Sequence, residues 1–117
     1  MNISEVILLL KESFSHPTST PNVGREDRER YIRDNQECLI EHVVEPVAVE
    51  AYTAEWTREF TGFTADSYEM LCIAKSKNEE LLYDERNKTF SLAIRNDRGK
   101  LYIIGYASSD ALAEWLG

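Results

Sequence analysis

The sequence predicts an α+β fold: helices at the amino end, an antiparallel β-meander of about four strands, and a short carboxy-terminal helix. Three observations lead there. Apolar residues recur at helical spacing in the first half, at Ile3, Ile7, Leu10 and Phe14 and again at Ile32, Leu39 and Val43. After Gly62 the apolar period falls to two, and the intervening stretches are short and polar, as in Ser-Lys-Asn-Glu and Asn-Asp-Arg-Gly-Lys.

Taken in order, Asn2 with Glu5 three positions on forms a capping box for a first helix over residues 3–15. Its apolar run Val6 to Leu10 follows Glu5, ends at Lys11 and Glu12, and is too short to direct secretion or span a bilayer, so a soluble cytoplasmic chain is expected. Residues 16–24, with two prolines among polar residues, read as a loop free to be mobile. A second helix is expected over Arg25 to Val44, supported by Glu26/Arg30 and Glu29/Arg33 at i,i+4. For residues 47–61 the spacing of Val49, Tyr52, Trp56 and Phe60 favours a helix from Pro46 to Gly62, although the valines and threonines suit a strand as well.

Strands are then expected at Tyr68 to Ala74, Leu81 to Tyr83, Thr89 to Arg95 and Leu101 to Ala107. Gly99 suits the left-handed position of a tight turn, and Asn87 suits it less easily. Ser108 or Ser109 is expected to cap a last helix whose Leu112, Trp115 and Leu116 face inward. The 117 residues are expected to form one domain, with 43% hydrophobic content to build its core. Cys38 and Cys72 lie in apolar surroundings and read as buried thiols in a reducing compartment.

The charge is one-sided. Between Asp34 and Thr57 stand Asp34, Glu37, Glu41, Glu45, Glu50 and Glu55 with no Lys or Arg, and these six account for most of the formal net charge of -8. In the second helix the order opposes the macrodipole, because arginines crowd its start and Glu37, Glu41 and Glu45 its end; helix stability alone does not choose that order. Either the six are a solvated face compensated by cations from elsewhere in the fold, or they dock a basic protein partner. Direct nucleic-acid binding is not expected, because phosphate contacts need a basic footprint.

Chemical motifs are sparse. Cys38 and His42 stand at i,i+4 and could begin a metal site or a catalytic dyad, but a closed site needs about four ligands and no nucleophile signature surrounds Cys38. No metal or cofactor is expected. Asp66/Glu69 and Asp84/Glu85 sit where acidic residues are ordinary, at turns and strand ends. No glycine-rich phosphate loop, G-x-S-x-G, H-E-x-x-H or paired C-x-x-C occurs. Tyr102, Ile104 and Tyr106 alternate along one face of the last strand; the face is either covered, or the core of an interface or pocket.

Two function classes follow. The first is a non-enzymatic acidic domain that binds a basic protein, such as an inhibitor or immunity-type protein. The second is a small α+β ligand-binding domain or enzyme with a pocket between sheet and helices, lined by Tyr102, Tyr106 or Tyr52 with His42. A homodimer built on the aromatic sheet face is compatible with either. The strands followed by Ser-Ser-Asp-Ala-Leu-Ala-Glu-Trp-Leu, residues 108–116, make about a third of the chain similar to small bacterial immunity-type α+β domains that close with a short helix. That resemblance implies a protein partner and carries over no residue role.

Overall fold

The structure is a computed structural model and describes residues 1–20 and 27–117. In chain order its elements are α1 (Ile3–Phe14), α2 (Arg28–Glu41), β1 (Val43–Tyr52), α3 (Glu55–Thr61), β2 (Ser67–Ser76), β3 (Glu79–Asp84), β4 (Thr89–Arg95), β5 (Leu101–Ile103) and α4 (Ala111–Leu116). The α+β class is as expected: helices first, an antiparallel meander, a closing helix.

Local chemistry sets the helix ends. Asn2 and Glu5 form the expected capping box, with Glu5 N donating to Asn2 Oδ1 at 2.9 Å and Asn2 N to Glu5 Oε1 at 3.2 Å. Asp27 caps α2 by accepting from Arg30 N at 2.9 Å. The last helix is capped by Asp110, not Ser108 or Ser109: Asp110 Oδ1 accepts from Ala113 N, while Ser108 Oγ donates to the Glu114 carboxylate. A carboxylate satisfies the orphan N–H groups better than a hydroxyl committed elsewhere.

The second helix is shorter than expected. Arg25 and Glu26, and with them the Glu26/Arg30 pair, lie outside the described residues, and the helix stops at Glu41. Arg30 reaches Asp34 at 3.9 Å, and the Glu29/Arg33 pair is not formed. Val43 and Val44, expected to end that helix, instead open β1.

Residues 47–61 are the main correction. They are the second half of β1, a turn and the short α3, not one helix from Pro46. Pairing with β2, from Val47/Cys72 to Tyr52/Ser67, overrides the helical spacing. Pro46 is tolerated because it falls where the register slips between Val43 and Val47, so no ladder hydrogen bond is required of its missing N–H. The sheet therefore has five strands. β1 to β5 run antiparallel in sequence order, and a parallel contact of β1 with β5 at Ala51/Leu101 and Tyr52/Tyr102 closes them into a barrel.

Two apolar layers result. Ala51, Phe63, Met70, Cys72, Leu82, Ala93, Leu101 and Ile103 form one cluster within the barrel. Val6 and Leu10 of α1, Leu39 of α2 and Ala111 and Trp115 of α4 pack with Ile73, Leu81, Tyr83, Phe90 and Leu92 on its outer face. Both β3 and β4 are thus covered on two sides. Ile3 and Leu116, expected inward, are 39% and 36% exposed.

The turns follow backbone sterics. Gly99 takes the left-handed conformation expected of it, at φ 78°. In the preceding hairpin that role falls to Lys88 at φ 56° and not to Asn87, whose side-chain amide donates to Asp84 Oδ2. Of the loop expected to be mobile, residues 21–24 lie outside the described residues. Its described part is tied down: Ser19 N donates to Asp110 Oδ2 at 2.8 Å and Arg28 Nη1 to the Thr20 carbonyl at 2.6 Å. Among the described residues no helix is long and apolar enough to cross a membrane.

Candidate functional site

The six carboxylates do not gather at one place. Asp34, Glu37 and Glu41 lie on α2, Glu45 in the irregular stretch of β1, Glu50 in its regular ladder, and Glu55 at the start of α3. All six are exposed. Asp34 has Arg30 at 3.9 Å, and Glu50 accepts the Tyr52 hydroxyl, which raises the Tyr52 pKa above its ordinary value. Glu50 also stands directly opposite Glu69 in the ladder, a like-charge pairing that sheets usually avoid. Glu37, Glu41, Glu45 and Glu55 form no ion pair among the described residues.

Glu37 and Glu41 do meet, at a groove of about 660 Å³ between α1 and α2. Phe14 and Ile40 give it an apolar lining, and Lys11, Ser15, Arg33 and Gln36 complete it. Its origin is helical phase. With 3.6 residues per turn, 33, 37 and 40 fall on one side of α2, while Leu39 turns to the core. The helix ends at Glu41, so Glu37 and Glu41 occupy its last turns, against the macrodipole, and the last turn holds no basic residue.

The Tyr102, Ile104, Tyr106 stripe is not a strand face along its length, because β5 stops at Ile103. Tyr102 is half-buried against Tyr52, ring centroids 6.1 Å apart, with Lys100 Nζ 4.0 Å from the Tyr52 ring centre. Ile104 and Tyr106 are 41% and 59% exposed. His42 is at the other end of β1, its ring tilted against Trp115 with centroids 5.8 Å apart. A strand of ten residues spans about 33 Å, so the structure does not bring His42 together with Tyr52 and Tyr102.

Cys38 and His42 are neighbours, with Sγ 3.8 Å from Nδ1. Nδ1 is, however, 2.8 Å from the Cys38 carbonyl oxygen, which an imidazole N–H satisfies, so the ring is held by backbone and is not presented to the thiol as a base. Cys38 is exposed, contrary to the buried thiol expected: the residue lies on the solvent side of α2, and only Leu39 on that helix is fully buried. No group of three or more His, Cys, Asp or Glu among the described residues could hold a metal ion. Asp66 pairs with Arg58 at 3.4 Å, and Asp84 accepts from Arg86 N at 2.9 Å, both structural uses.

Two features escaped the sequence. The first is α3, whose Trp56 and Phe60 are 54% and 64% exposed and touch edge to face. Their spacing had suggested one face of a longer helix; in α3 they point outward and the buried residue is Thr57. The acidic residues Glu55 and Glu59, each directly before an aromatic, were the available signal of an outward face.

The second is a polar cluster within the barrel. Glu80, 2% exposed, accepts from Arg95 Nε at 2.8 Å and Nη2 at 3.2 Å, while Arg95 Nη1 donates to the Gly99 carbonyl. Burial works to raise the Glu80 pKa, but the Arg95 and Cys72 hydrogen bonds and nearby positive charge hold it below its ordinary value. Burial pushes the Cys72 thiol up to about 12. Such a thiol is a small apolar filler, not a nucleophile.

Comparison with protein-family models, with curated proteins and with solved structures found no match for this chain.

Proposed function

We propose that this protein is a non-enzymatic acidic binding domain that docks a basic protein partner, in the manner of an inhibitor or immunity-type protein. One observation carries the reading: Glu37 and Glu41 have no ion pair among the described residues and flank an apolar groove lined by Phe14 and Ile40. A merely solvated helix face gains nothing from carboxylates set against its dipole. A segment bearing Lys or Arg beside an apolar residue complements Glu37 and Glu41 and the Phe14/Ile40 lining, while Lys11 and Arg33 of the same groove leave room for an acidic group on that segment. The net charge of -8 also raises the encounter rate of such a partner at low salt.

The test is association with a panel of basic proteins at low and raised salt. The triple variant Glu37→Gln, Glu41→Gln, Glu45→Gln, which removes both groove carboxylates and the exposed Glu45 beyond the helix end, is expected to weaken selective binding about tenfold and to flatten its salt dependence, at about 0.2–1 kcal/mol per exposed charge. Unchanged binding by the triple variant removes the reading.

A further inference from the structure

We propose that the outward face of α3 receives an arginine side chain of the partner. The inference rests on the reading that the partner is basic, and it places a second contact at Trp56 and Phe60. These two aromatics are more than half exposed, and α3 turns Thr57 to the interior. The one cation of α3 is turned away: Arg58 Nη1 donates to the Thr53 carbonyl at 2.7 Å and pairs with Asp66. Glu55 and Glu59, exposed beside the aromatics, form no ion pair among the described residues.

An indole more than half exposed, next to carboxylates without an ion pair among the described residues, matches a guanidinium. The ring attracts the cation, and the carboxylate accepts its planar fork of N–H groups. The same chemistry is met internally where Lys100 lies over Tyr52. No Lys or Arg among the described residues stacks on Trp56 or Phe60. A second copy of this chain is a poor occupant, because a two-fold contact would set Glu55 and Glu59 of both copies against one another.

The probes are a nine-residue arginine peptide and its lysine counterpart. Trp115 is 8% exposed, so a change in tryptophan emission on binding reports chiefly on Trp56. Titration calorimetry gives affinities for variants that lack the indole. The arginine peptide is expected to shift the emission and to bind about two- to fivefold more tightly than the lysine peptide. Trp56→Ala and Phe60→Ala, which leave net charge unchanged, should each remove about that factor, and Glu59→Gln should lower arginine affinity further. The triple variant Glu37→Gln, Glu41→Gln, Glu45→Gln should leave the emission change intact, so failure of the groove reading and failure of this one are separable. Equal affinity for the two peptides, binding indifferent to Trp56→Ala, a wild-type dimer that Trp56→Ala dissolves, or an emission shift with lipid vesicles in place of peptide would each overturn the proposal.

Discussion

Glu80 and Arg95 show how unevenly the two halves of one ion pair respond to removal. Glu80 is 2% exposed, whereas the Arg95 side chain keeps 35% of its surface in solvent. Arg95→Met leaves a buried carboxylate without its cation and is expected to destabilise the protein by about 3–5 kcal/mol. Glu80→Gln leaves a guanidinium that can still hydrate and retains one acceptor, so about 1–3 kcal/mol is expected. Urea unfolding of both variants at pH 7 checks the order.

The pH dependence has a definite sign. The Glu80 pKa is lowered by folding, so its contribution is fully present above the ordinary value of 4.5 and is lost as pH falls through the lower folded value. Glu114, raised by burial, has the opposite slope, losing stability as pH rises above 4.5. The difference between wild type and Glu80→Gln below pH 4.5 therefore isolates Glu80: it should shrink as pH falls. The sequence hid this pair because Glu80 follows Ser-Lys-Asn-Glu, ordinary turn composition, and its partner is fifteen residues away. The thiols offer a second check. Cys38 is exposed and should react with a thiol reagent in the native state, while Cys72 should react only on unfolding.

Among the elements, those with a strong local signal were legible. The Asn2/Glu5 box fixes the start of α1, and the period-two runs with Gly99 fix the β3–β4–β5 meander. β1 was not legible, because its pairing with β2 is non-local and the spacing of Val49, Tyr52, Trp56 and Phe60 is helical by coincidence across a strand, a turn and a helix. Closure of the barrel was equally hidden, since a parallel contact between the first and last strands leaves no local trace. That seam is short, confined to Ala51/Leu101 and Tyr52/Tyr102, whereas β3 has a ladder on each side. Amides of β5 are therefore expected to exchange with solvent at least about tenfold faster than those of β3 in native-state hydrogen exchange. Equal protection would mean that the seam opens only with the whole barrel.

For the molecule as a whole, the sequence showed how much charge there is, and only the fold shows where it stands. Counting found six carboxylates between Asp34 and Thr57; packing α1 against α2 is what sets Glu37 and Glu41 beside Phe14 and Ile40, and ending β1 at Tyr52 is what places Glu55 on a separate helix. With a net charge of -8, the folded state carries self-repulsion that a partner of opposite sign would relieve. Residues kept for docking at the expense of folding should betray themselves by opposite effects on the two. Replacing Glu37 and Glu41 with Gln removes negative charge from the carboxyl end of α2 and is expected to stabilise the free protein by about 0.3–1 kcal/mol each at low salt. Thermal unfolding of Glu37→Gln, Glu41→Gln, Glu45→Gln should thus shift upward by a few degrees, about 2–8 °C for each kcal/mol gained. Added salt should narrow the gap to wild type, because exposed charges are screened. Coupled with weaker binding of basic proteins, that rise is what a docking surface requires. A fall in the unfolding temperature would instead make these glutamates part of what holds α2 in place, and the carboxylates would then be explained by the fold without a partner.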